Sequence, residues 1–232
     1  MKTKHFIFSM TCFCGAVYGQ MLEMPVPIVA GHPFSADEVT PRTLWSNLIS
    51  PVSVTFRVYR DSAVRVRVDE PTPPKPGTVS APRVVITDPV GGFKYVLNTD
   101  TKIAHRSSTQ VQAPPATDDP WKVARWAFNV PGVVETSPKL EPLGTRLIGG
   151  LTVEGRRITN NIPKTEHAEA QEDVNECWYS PELQMMVLRQ LRHTSMGEST
   201  TRLENIDRSD PDPLLFQVPP EYTIEDGPPK GN

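Results

Sequence analysis

Residues 51–69 read PVSVTFRVYRDSAVRVRVD, and the fold turns on this stretch. Val52, Val54, Phe56 and Val58 alternate with Ser53, Thr55, Arg57 and Tyr59. Beyond Arg60-Asp61-Ser62-Ala63, the residues Val64, Val66 and Val68 alternate with Arg65 and Arg67. Side chains of a strand point to opposite sides in turn, so alternation rich in β-branched residues specifies two half-buried strands. The polar break between them specifies a hairpin. One face goes to a core and the other carries arginines into water.

The same chemistry recurs on both sides of this hairpin. RVVITDPVGGFKYVLN (83–98) gives a strand at 83–87, a turn around Asp88-Pro89-Val90-Gly91-Gly92 and a strand at 93–97, because Asp-Pro initiates turns and glycines accept positive φ. Asn98-Thr99-Asp100 then turns the chain into a third strand at Lys102–His105. LGTRLIGGLTVEGRRITNNIP (143–163) is again strand-like, with Gly149-Gly150 and Gly155 as turns, bulges or close backbone contacts. TEHAEAQED (165–173) reads as an exposed acidic connection. ECWYSPELQMMVLRQLRH (176–193) reads as two strands around a turn at Tyr179–Glu182, and STTRLENID continues in the same manner. DPDPLLFQVPPEYTI is a proline-bracketed extended segment, and residues 226–232 are a disordered tail.

Proline, 25 residues in the chain, far exceeds its average usage of about 5%. It falls in bursts, with proline-rich loops at 69–82 and 107–120, and a helical protein does not tolerate that pattern. WKVARWAFNV (121–130) alone carries helical spacing. The expected fold is mainly β: an antiparallel sheet of short hairpins, compatible with an open half-barrel, with one or two short helices. A single β-rich domain is expected over 20–225.

The chain opens MKTKHFIFSMTCFCGAVYGQ. Two lysines, an apolar run from Phe6 to Ala16 and the small residues around Gly19 form the three-part layout of a signal peptide, residues 1–19, cleaved near Gly19. The run is shorter than the roughly 20 residues a spanning helix needs, and no later stretch qualifies. The expected destination is secreted or periplasmic. Cleavage removes two lysines and no acid, so the exported chain is more acidic than the −3 of the full sequence and offers nucleic acid no electrostatic footprint. It also removes two of the 3 cysteines, leaving Cys177 with no partner for an internal disulfide.

Catalytic chemistry finds little to use. Cys177 lies between Glu176 and Trp178, neighbours that raise a thiol pKa, and it reads as a structural cysteine. No nucleophile-elbow or phosphate-loop spacing occurs, so no catalytic residue and no cofactor is expected. Glu166, His167 and Glu169 are the only dense ligand cluster, and His32, His105 and His193 form no motif, so no metal is expected. Asp210 and Asp212 suit turns. Two surfaces remain. Met185, Met186, Val187 and Leu188, with Trp178, could line a face for an apolar ligand, or belong to a central strand buried on both sides by protein. Arg57, Arg60, Arg65 and Arg67 could form an anion patch, or a solvated sheet face that discourages aggregation.

YRDSAVRVRV, ITDPVGGFKYVLN, CWYSPELQMMV and STTRLENIDRSDPDPLLFQVPPEYTI resemble segments of a group of uncharacterised exported bacterial proteins. More distantly, the run of strands resembles the periplasmic lipoprotein carrier and receptor folds, which are incomplete barrels around an apolar cavity. The matching residues, Tyr59-Arg60-Asp61, Asp88-Pro89, Tyr95, Trp178-Tyr179-Ser180-Pro181, Phe216, Pro219 and Tyr222, are implied to be fold determinants. Ala63-Val64 stands where that group has a glycine-containing turn. The resemblance and the apolar run together imply a non-catalytic exported module binding an apolar or amphipathic ligand, such as a lipid or lipoprotein. The alternative is a protein-interaction or sensor component of the cell envelope without a small-molecule ligand.

Overall fold

A computed structural model describes residues 24, 26–42, 52–71, 83–109, 138–164, 169–193 and 197–228. Residues 1–19, read above as a leader, the 121–130 stretch expected to be helical, and most of 69–82 and 107–120 lie outside the described residues.

The hairpin read from residues 51–69 forms, but Val64, expected in its second strand, lies in the turn. Strands β2 (Val52–Arg60) and β3 (Val66–Glu70) pair antiparallel, with Val58 opposite Val68 and Arg60 opposite Val66. Asp61 ties the turn: its carboxylate accepts from the Arg65 backbone N–H at 2.7 Å and from Arg65 Nε at 2.6 Å. Val64 sits at φ 69°, left-handed backbone that a β-branched residue rarely adopts. Strands β4 (Arg83–Asp88), β5 (Phe93–Asn98) and β6 (Ile103–Ser108) continue the meander.

Upstream of β2 lies β1 (Phe34–Arg42), which sequence patterning does not reveal. The second half supplies β7 (Lys139–Ile148), β8 (Leu151–Ile162), β9 (Gln171–Ser180), β10 (Met185–His193) and β11 (Gly197–Asp207). Gly149 and Gly150 join β7 to β8 with φ of 55° and 77°, the pair of positive values a two-residue hairpin turn demands. The acidic stretch expected to be loop contributes Gln171–Asp173 to β9, where they pair with Asn160, Asn161 and Ile162. The β9–β10 turn is Pro181–Gln184, two residues later than the side-chain pattern suggests.

The described strands form one open sheet in the order β12-β6-β5-β4-β3-β2-β1-β11-β10-β9-β8-β7, not closed into a barrel. Strand β1 joins the two meanders by pairing with β2 on one side and β11 on the other. The sheet is antiparallel except at one place. Strand β12 (Thr223–Asp226) lies parallel to β6, so Asp226, assigned by composition to a frayed tail, is part of the sheet. Gly227 donates to the Arg106 carbonyl at 2.9 Å, and Arg106 Nε meets Asp226 at 2.7 Å.

Two apolar clusters hold the sheet. The larger gathers Phe34, Ala36, Phe56, Val58, Val66, Val68, Tyr179, Met186, Val187 and Leu203, with Met24, Val26 and Ile28 packed against them. The smaller, Val84, Ile86, Leu97, Ala104 and Phe216, lies on the opposite side of the N-terminal meander and is roofed by Leu215, Val218 and Tyr222. A 3-10 turn, Pro213–Phe216, begins this roof, with Asp212 accepting from the Leu214 N–H at 2.9 Å. Phe216 and Tyr222 belong to this packing, and the Pro219 carbonyl accepts from the Tyr222 N–H at 3.0 Å.

Candidate binding surface

The residues nominated for an apolar ligand are interior. Met185, Met186 and Val187 are 1%, 5% and 0% exposed, and Leu188 is half-buried against the same cluster. A bulge between Met186 and Leu188 lets successive side chains enter the core. Trp178 is also buried: Gly155 lies beneath its ring, where a Cβ would stand 2.6 Å from Cζ3, and the Arg146 guanidinium covers it at 3.6 Å from the ring centroid. The side chains expected to form a ligand face are the chain's own core.

The four arginines do not make one patch. Arg57 and Arg67 share a side, and each has a partner: Arg57 donates to Asp37 and Ser35, and Arg67 to Asp69 and the Leu215 carbonyl. Arg65 pairs with Asp61 and stacks over Phe216. Arg60 is on the other side and fully buried. Its Nε donates to the His32 carbonyl at 3.0 Å and its Nη1 to the Pro27 carbonyl at 2.9 Å. Its Nη2 donates to the His32 carbonyl at 2.7 Å and to the Leu183 carbonyl. Burial brings its pKa down to about 10. Arg60 is a clamp between the 26–33 segment and the β9–β10 turn. Its parity with Val54, Phe56 and Val58 was the available signal for burial.

The groups considered for chemistry are placed as follows. Cys177 is buried, and burial, with Glu176 adding to it against Arg189, raises its thiol to about 11. His32 donates from Nδ1 to the Glu182 carbonyl at 2.8 Å and meets the Gln184 side chain at Nε2. Asp210 holds the β2–β3 turn through Ser62. Glu169 pairs with Lys164, while Glu166 and His167 lie outside the described residues. Among the described residues no three acidic, histidine or cysteine side chains gather as a metal site.

A concavity lies elsewhere, on β7–β10, and the sequence did not announce it. It measures about 500 Å³ and is lined by Lys139, Glu141, Arg157, Thr159, Asn161, Glu172, Val174 and Arg192. Strand register explains its composition. One row runs Lys139-Thr159-Val174-Arg192-Glu198 across β7 to β11, and the adjacent row runs Glu141-Arg157-Glu176-Gln190-Thr200. A smaller hollow continues it over Glu176, Gln190, Glu198 and Thr200. Five strands about 4.8 Å apart make this furrow about 19 Å long. Its ion pairs, Lys139–Glu141 at 3.0 Å, Arg157–Glu176 at 2.7 Å and Arg192–Glu198 at 2.7 Å, are partly solvent-exposed. Such pairs contribute only about 0–1 kcal/mol each, so a ligand's groups can replace them at little cost.

No known protein family and no curated protein matches the chain. Among solved structures it is similar to an uncharacterized conserved protein from Thermus thermophilus, at 9% identity over 84% of this chain and 91% of that chain, with a TM-score of 0.46. It is similar to a chain of the Pseudomonas aeruginosa MucA/MucB complex, at 14% identity over 84% of this chain and 58% of that chain, with a TM-score of 0.47. A LolA superfamily protein from Nitrosomonas europaea matches at 11% identity over 83% of this chain and 92% of that chain, with a TM-score of 0.35.

Proposed function

We propose that the chain is a non-catalytic binding module of the cell envelope whose partner is a polypeptide lying across β7 to β11. The furrow carries this reading. It interleaves both signs of charge with amide and hydroxyl groups, a lining suited to a peptide's backbone and mixed side chains rather than to a hydrocarbon chain or a polyanion. An extended chain covers about 3.3 Å per residue, so about six residues span the two polar rows. The leader-like residues 1–19 support an exported location. Among the described residues no helix is long and apolar enough to cross a membrane.

An apolar ligand was the first expectation, and it now lacks the face that motivated it, because Met185, Met186, Val187 and Trp178 are packed inside. Native mass spectrometry of the chain isolated from an envelope extract, followed by solvent extraction, separates the two ideas. No stoichiometric lipid should be recovered; a lipid bound one-to-one overturns the polypeptide reading.

A further inference from the structure

Strand β7 ends the sheet, and its outer edge is not paired with another described strand. An open edge of ten residues is a template for another strand. Leu140 is 45% exposed and Leu147 73% exposed along it. Midway, Pro142 and a bulge between Pro142 and Gly144 interrupt the regular ladder, with Gly144 at φ 78°.

The bulge decides which strand can pair here. In a regular strand, residues seven apart point to opposite sides. Here Leu140 lies opposite Ile158 and Leu147 opposite Thr152, positions six apart on β8, so the two leucines share a side. Glu141, opposite Arg157, and Arg146, opposite Val153, share the other side for the same reason. An antiparallel copy of β7 centred between Leu143 and Gly144 then places Leu140 against Leu147 and Glu141 against Arg146, each twice. The two bulges face one another and stay in phase. A foreign strand without a bulge falls out of register halfway along.

We infer that β7 is a self-complementary edge through which two copies of this chain associate about a two-fold axis perpendicular to the sheet. Such a contact is isologous, with each residue pairing to its complement on the other copy. Arg146 can serve it while stacked on Trp178, because a guanidinium that lies flat on a ring keeps its N–H edge for a carboxylate. The axis keeps the polar side of both sheets facing one way, so Lys139 and Glu141 bring the two furrows edge to edge. The inference is independent of what occupies the furrow.

Sedimentation equilibrium of the full chain tests it. Wild type should show a concentration-dependent dimer. Glu141→Arg and Arg146→Glu should each weaken association at least tenfold, since each sets like charges opposite one another twice. An equimolar mixture of the two variants should restore dimerisation to within about threefold of wild type, because both cross-pairs are again of opposite sign. Leu147→Asp should abolish association, with unchanged far-UV circular dichroism. A wild-type chain that stays monomeric at 200 µM, or variants whose mixture behaves as each does alone, overturns the inference.

Discussion

Replacing Arg60 with Met tests how the two halves of the chain are clamped. Methionine approximates the length of arginine's apolar stem but donates no hydrogen bond, so the Pro27, His32 and Leu183 carbonyls all lose their partner. An orphaned buried acceptor costs about 1–3 kcal/mol. Taking about 2 kcal/mol for each carbonyl, the loss is near 6 kcal/mol. Against this, the variant no longer buries a guanidinium. The fall of the Arg60 pKa from the ordinary guanidinium range to about 10 puts that burial at roughly 3 kcal/mol. The expected net destabilisation is about 3 kcal/mol, or a melting temperature lower by roughly 6–12 °C for a domain of this size. Urea unfolding followed by tryptophan fluorescence measures it, and the midpoint should fall with an unchanged slope. Arg57→Met, at a partly exposed arginine, should cost under about 1 kcal/mol. An Arg60→Met variant as stable as wild type would refute the clamp.

Three further outcomes follow from the packing. Cys177 has a folded pKa near 11 against an ordinary value of 9, so the folded chain keeps its thiol proton while the unfolded chain loses it. That contribution to stability is complete below pH 9 and falls through pH 9–11 by about 1.4 kcal/mol per unit. Urea titrations of wild type and Cys177→Ala should therefore converge over that window, and native Cys177 should resist iodoacetamide at about pH 8. Gly155→Ala drives a Cβ to within 2.6 Å of the Trp178 ring and 2.9 Å of Leu143 Cβ, and should destabilise by about 1–3 kcal/mol with a red-shifted tryptophan emission. Val64→Gly removes a left-handed strain of about 1–2 kcal/mol and adds about 0.4–1 kcal/mol of unfolded-state entropy, so a small rise in midpoint is expected.

The β2–β3 hairpin was legible because its inward positions are apolar at period two. Strand β1 was not, although it occupies the middle of the sheet. Its inward positions are Phe34, Ala36, Glu38 and Thr40, so a buried carboxylate and a hydroxyl break the apolar alternation. The Thr40 and Thr201 hydroxyls meet at 3.1 Å, a cross-strand bond between residues far apart in sequence. Strand β12 was hidden for another reason: four exposed residues are held by backbone pairing to β6, which composition does not encode. The run Met185–Leu188 was legible as doubly buried, but the occupant of its second side was not, because only the bulge and the cluster around it show that protein fills the space. The furrow was the least legible feature. Each contributing strand looks like an ordinary polar face, and only the register across β7–β11 aligns Lys139 with Arg192, or Glu141 with Gln190.

The central claim, a polypeptide in that furrow, is tested most directly by a photo-crosslinking amino acid at Thr159 in the full chain, expressed in its own envelope. Thr159 sits in the first polar row, while Thr152 is exposed on the opposite side of the same strand and serves as the control. Irradiation should give a discrete protein adduct from position 159 and none from 152. The adduct should disappear when Arg157→Glu and Arg192→Glu reverse the charge of the furrow. Equal labelling from both positions, or no adduct at 159 from a folded chain, would contradict the claim.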